Sequence, residues 1–139
     1  MFHSVDLRAY CHATEEVSRV EKALRTVCPD GAIDTEAIEG HHGNPILILK
    51  CRVQKDDAIN AFWRRVKDVG LLEKILENLE ERVDEDAVLH LRFDKQNAYE
   101  GSFELATNDD VIAVRAKIAA HPAKRSVAVR VAREYLRRL

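Results

Sequence analysis

Cysteine, glycine and proline are all scarce in this chain, and the shortages exclude whole classes of protein. The 3 cysteines, Cys11, Cys28 and Cys51, are odd in number and far apart. That pattern fits neither a disulfide framework nor the paired C-x-x-C knuckles of a zinc site, so reduced intracellular thiols are expected. With 5 glycines and 3 prolines against 46% hydrophobic residues, the composition is that of a folded protein and not of a disordered tract. No apolar run approaches the roughly 18 residues of a membrane span. Met1-Phe2-His3-Ser4-Val5-Asp6 shows no basic stretch ahead of an apolar core, so no secretory signal is visible. A cytoplasmic protein without membrane contact is expected.

Motifs of catalysis and cofactor binding are missing as well. There is no P-loop, no G-x-G-x-x-G fingerprint and no G-x-S-x-G elbow around Ser4, Ser18, Ser102 or Ser126. The neighbouring acids Asp56-Asp57, Glu80-Glu81 and Asp109-Asp110 could serve acid and base chemistry, but helix starts and solvated turns place acids there anyway. His41-His42 with Cys51 invite a zinc reading, yet a structural zinc site wants four such ligands. The expectation is no enzyme, no cofactor and no metal.

What is present is patterning. A chain of 139 residues suits one domain, residues 1–139, that buries about two-thirds of its unfolded surface. Val5, Leu7, Ala9 and Cys11 alternate with polar neighbours, which predicts a half-buried strand. Thr14 offers an N-cap to a helix carrying Val17, Val20, Leu24 and Val27, stopped by Pro29-Asp30-Gly31. Residues 32–39 and 45–53 read as strands around the turn-rich Gly40-His41-His42-Gly43-Asn44. Ile59, Phe62, Trp63 and Val66 form a helical stripe that Gly70 should break, and Leu71 to Leu79 continue in a second helix. Strands are expected over 87–94, over 98–105 beyond a polar loop Lys95-Gln96-Asn97, and over 111–120. Pro122 then suits the first turn of a last helix with Val127, Val131, Tyr135 and Leu139 on its apolar seam. The order implies an α+β fold, a single mixed, largely antiparallel sheet with helices packed on one face and the other face left to a partner.

Charge is unevenly spread. Residues 122–139 hold six cations against Glu134 alone, a net of +5, which leaves −7 on residues 1–121 of a chain whose total is −2. A basic helix thus follows an acidic body, and only a localised patch could neutralise phosphates. Gly40-x-x-Gly43 matches the backbone-clamping loop of KH domains formally, but it separates two strands where KH loops join helices. On residue types alone, the basic and amide side chains at turns and strand faces suit solvated surface as well as RNA.

Three strings tip that balance: Gly40-His41-His42-Gly43-Asn44-Pro45-Ile46, Phe93-Asp94-Lys95-Gln96-Asn97-Ala98-Tyr99-Glu100-Gly101 and His121-Pro122-Ala123-Lys124-Arg125. Together they resemble the archaeal RNA-binding family described as predicted exosome subunits, over nearly the whole chain. The resemblance implies a fold similar to the large-subunit ribosomal protein that binds 5S rRNA, an archaeal cytoplasmic source, and RNA as partner beside RNA-processing proteins. On the motif positions it points to Lys95 and Gln96, with His42 and Asn44 at the neighbouring tip, as RNA-binding residues; Arg92, Lys124 and Arg125 join them as candidates because basic side chains can neutralise phosphates. A protein-interaction subunit or homo-dimer without direct RNA contact is the alternative from a different class, and an unrecognised hydrolase a third.

Overall fold

The computed structural model describes every residue of 1–139 except His41, His42 and Asn44. Its described elements are β1 (Phe2–Cys11), α1 (Val17–Val27), β2 (Ile33–Glu39), β3 (Pro45–Val53), α2 (Asp56–Asp68), α3 (Leu72–Glu77), α4 (Leu79–Arg82), β4 (Val88–Asp94), α5 (Lys95–Tyr99), β5 (Val111–Ile118) and α6 (Arg125–Arg137). The α+β class expected from the sequence is the one found: one five-stranded antiparallel sheet in the order β2-β3-β1-β5-β4. β2 and β3 are a hairpin whose register sets Ile33 against Cys51, Thr35 against Leu49 and Glu39 against Pro45.

Two compact units share these strands. The first comprises Met1–Val5, Val53–Leu91 and Val114–Leu139, the second Asp6–Arg52 and Arg92–Ala113. In the first, Ile59, Phe62, Trp63 and Val66 of α2 are buried as the helical spacing requires. Trp63 lies 4.9 Å from the Phe2 ring and 5.0 Å from Phe62 between centroids, within the range of favourable aromatic pairs. In the second unit, Val20, Ala23, Leu24 and Val27 of α1 are buried, together with Leu7, Ala9, Leu49, Phe93 and Ile112. Among the described residues no helix is long and apolar enough to cross a membrane.

Several local expectations are corrected. Thr14 does not cap α1: the Glu15 N–H donates to the His12 carbonyl at 2.9 Å, and the Glu15 carboxylate accepts the His12 N–H at 3.2 Å. That turn delays the helix until Glu16, and Val17 is left exposed. The stretch Leu71 to Leu79 is two short helices with Asn78 at their junction. Residues 98–105 are not a full strand, because α5 takes up their first part and only Leu105 bridges back to Phe93. Pro122 precedes α6 instead of opening it, since the Lys124 N–H turns back to the Pro122 carbonyl at 2.9 Å. The seam of α6 is rotated too: Ala128, Val129, Ala132 and Leu136 are buried, while Val127, Val131 and Tyr135 are only half-buried. Small alanines let the helix approach closely, and a reading weighted to large apolar residues picks the neighbouring face.

Gly70 ends α2 as expected, at φ +83°. Its N–H donates to Lys67 O at 2.9 Å and the Leu71 N–H to Val66 O at 3.2 Å, the paired bonds of a Schellman cap. Nothing lies within 4 Å of where a Cβ would stand, so only backbone strain opposes a side chain. Gly70→Ala is expected to cost about 1 kcal/mol in urea denaturation. An unchanged midpoint would show that the left-handed conformation is not needed.

Candidate nucleic-acid interface

In the second unit the strands bury one face and leave the other open. Period-two alternation sends Leu7, Ala9 and Cys11 of β1 inward, so Asp6, Arg8 and Tyr10 share the opposite face. Lys50 and Arg52 of β3 and Arg92 of β4 alternate with buried neighbours in the same way. On β2, Asp34 stands opposite Lys50, and Glu36 opposite Ile48. Tyr10 is 40% exposed, on the middle strand of the sheet.

The charges of this face are partly matched. Arg52 pairs with Asp6 at 2.9 Å and Lys50 with Glu36 at 2.5 Å, all four side chains well exposed. The hydrogen bond from Lys50 holds the Glu36 carboxyl below its usual range, with the Lys50 and Arg8 charges adding to it. Exposed pairs of this kind contribute little and are screened by salt, so a polyanion can displace the carboxylates. Among the described residues, Arg8 and Arg92 make no salt bridge. The face therefore carries an accessible aromatic ring and four cations, two of them paired with exposed carboxylates.

Lys95 stands at one end of this unit and does something other than meet solvent. Asp94 caps α5, its Oδ1 accepting the Asn97 N–H at 2.9 Å, which explains why the string expected as a loop is a helical turn. The turn directs Lys95 inward, where its residue is 2% exposed. The ammonium donates to the Tyr10 carbonyl at 3.0 Å, to Glu15 at 2.9 Å and to Asp110 at 2.7 Å. Burial opposes that charge, but the hydrogen bonds to Asp110 and Glu15 prevail and raise the Lys95 pKa. For Asp110, burial pushes upward, and the bonds from Gln96 and Lys95 outweigh it to hold the carboxyl low.

The residues singled out from the sequence are thus sorted by their surroundings. Lys95 is corrected as a phosphate contact, since all three of its N–H donors are spent inside the protein. Gln96 is exposed, although its amide N–H donates to Asp110 at 3.0 Å. It lines a groove of about 300 Å³ with Glu15, Arg19 and Tyr99; the Tyr99 ring has Arg19 at 5.2 Å and Lys22 at 4.8 Å from its centre. Arg92 lies on the open face. Lys124 and Arg125 belong to the first unit, where Lys124 is exposed and the Arg125 guanidinium donates to the Val83 carbonyl at 2.9 Å. His42 and Asn44, with His41, lie outside the described residues. Tyr10, Arg8 and Arg52 complete the face; Arg52 is one of the basic strand residues that the sequence offers to phosphate, whereas Tyr10 and Arg8 were not singled out. Their only sequence signal is that each is a polar or aromatic residue between buried ones.

Comparison with known proteins bears on what such a face serves. A family described as RNA binding matches residues 4–118. The RNA-binding protein PAB1135 of Pyrococcus abyssi is 37% identical over 96% of this chain and 93% of its own length. An uncharacterized protein of Methanocaldococcus jannaschii, MJ0213, is 34% identical over 81% of each. The solved structure of Mth689, a DUF54 protein from Methanothermobacter thermautotrophicus, superposes with a TM-score of 0.84 at 38% identity and covers 98% of both chains. Because the family match takes in residues 4–118, most of the chain and nearly all of the sheet, this chain belongs to the RNA-binding family.

Proposed function

We propose that the protein is a cytoplasmic, non-catalytic RNA-binding factor, an accessory to RNA processing or degradation of the kind its resemblance to predicted exosome subunits suggests. RNA-processing proteins are its expected neighbours. The observation that carries the reading is the open sheet face of the second unit, which carries the exposed Tyr10 ring together with Arg8, Arg52 and Arg92. An aromatic ring accepts a base by stacking, and guanidinium groups accept the phosphates that connect bases. Two of the acid pairs that could suggest catalysis stand at helix starts, which supports a non-catalytic reading. Asp56 and Asp57 fill the first turn of α2, and Glu80 and Glu81 the first turn of α4, where negative charge suits the helix dipole. The net charge of −2 implies modest affinity and selective reach rather than broad coating of RNA.

Fluorescence anisotropy with a labelled single-stranded RNA of mixed sequence, and with a structured hairpin suggested by the likeness to the 5S-rRNA-binding ribosomal protein, tests this. A complex is expected at about 50 mM salt that weakens clearly by about 200 mM. No complex with either RNA at either salt would remove the proposal.

A further inference from the structure

On the buried side of β3, the second unit holds two sulfur atoms close together. Cys28 closes α1, its N–H donating to Leu24 O at 2.8 Å, and Cys51 faces inward from β3. Their Sγ atoms are 3.0 Å apart, although the residues are separated by 23 positions in sequence. That is nearer than the roughly 3.5–4 Å of ordinary nonbonded contact. Both side chains are buried, at 0% and 2% exposure.

The surroundings keep the pair together. The Asp30 carbonyl lies 2.9 Å from the Cys28 sulfur and 3.5 Å from the Cys51 sulfur, within reach of either thiol proton. At Gly31 a Cβ would stand only 3.2 Å from the Cys51 sulfur, so the glycine lets the turn close over it. The Arg25 guanidinium donates to Pro29 O and Gly31 O and fixes that turn. The hydrogen bond from Cys28 holds the Cys51 thiol below its usual range against the opposing effect of burial, and the Arg25 charge adds to it. Cys11 differs, because burial and the Glu15 charge push its thiol upward.

We infer that Cys28 and Cys51 are an oxidisable dithiol, which a peroxide converts into a disulfide that ties the end of α1 to β3. The Cys51 thiolate attacks one oxygen of hydrogen peroxide and breaks the O–O bond. This leaves a sulfenic acid on Cys51, and the departing hydroxide takes up the thiol proton as water. The Cys28 sulfur then attacks the Cys51 sulfur and displaces the hydroxyl, which leaves as a second water with the Cys28 proton. Two thiols are oxidised to one disulfide as one peroxide is reduced to two waters. The closed loop restricts the unfolded chain, so the oxidised protein is expected to unfold at a higher temperature.

The full chain is treated with hydrogen peroxide, quenched, denatured in iodoacetamide without reductant and weighed by mass spectrometry. One alkyl group per chain is expected after oxidation, against three before it, on the 3 cysteines present. A peptide pair joined through Cys28 and Cys51 should appear, with a thermal midpoint raised by several degrees that dithiothreitol restores. Cys11→Ser keeps the link, whereas Cys28→Ser and Cys51→Ser lose it. Three alkylated cysteines after treatment, a link through Cys11, or a sulfinic acid at Cys51 with no link would each overturn the assignment.

Discussion

Replacing Lys95 with methionine is expected to lower the unfolding free energy by about 2–3 kcal/mol. Removing one partner of a buried ion pair costs about 3–5 kcal/mol, because the remaining charge loses its counter-ion without regaining full hydration. The Glu15 and Asp110 side chains are 25% and 38% exposed, so water recovers part of that loss and the lower figure applies. Methionine keeps most of the aliphatic stem, so the change isolates the ammonium. The Tyr10 carbonyl also loses its donor. The thermal midpoint should fall by roughly 8–12 °C. A loss below about 0.5 kcal/mol, the range of ordinary surface substitutions, would mean that the cluster only decorates the fold.

The same cluster fixes the sign of the pH dependence. Asp110 has a folded-state pKa depressed from its ordinary 3.8, so it contributes stability above that value, and the contribution fades as pH falls through the folded pKa. Lys95 is raised from its ordinary 10.5, so its contribution is complete below that value and is lost as pH rises through the folded pKa. Stability is therefore greatest between these limits and declines on both sides. Lys95→Met should flatten the acid limb, since the carboxyl loses a bond that kept it low. An acid limb equally steep in the variant would place the linkage elsewhere.

What could be read in the sequence was what short-range periodicity encodes. Val5, Leu7, Ala9 and Cys11 reveal β1, and Ile59, Phe62, Trp63 and Val66 reveal α2, because a residue's neighbours two or four positions away decide which face it takes. Gly70 was legible as a stop for a similar reason. Lys95 was not, since its partners Tyr10 and Glu15 lie 85 and 80 positions away, and a lysine in a polar string looks solvated. The nearest available signal was Asp94, an N-cap residue three positions before Asn97 that already implied a helical turn. The proximity of Cys28 and Cys51 was hidden in the same way, since it arises only when the end of α1 meets β3. The open face was foreseen as a face but not as a set of residues, because strand order, which no local pattern encodes, decides that Arg8, Tyr10, Arg52 and Arg92 share it.

The sharpest test of that face is its exposed aromatic ring. Tyr10→Ala is expected to weaken binding of single-stranded RNA about tenfold or more, since stacking of one base on an aromatic side chain is worth roughly 1–3 kcal/mol. A lost stack carries no charge, so the salt slope should stay unchanged. Arg92→Ala should do the opposite: weaken binding at low salt and reduce the slope of log affinity on log salt by about 0.7, the value for one phosphate contact on a single strand. Tyr10 is 40% exposed and Arg92 is exposed, so neither change removes core packing, and unaltered thermal midpoints separate lost contact from lost fold. If both variants bind as the parent does while Lys124→Ala and Arg125→Ala carry the loss, the RNA lies on the basic helix of the first unit and the sheet face serves something else.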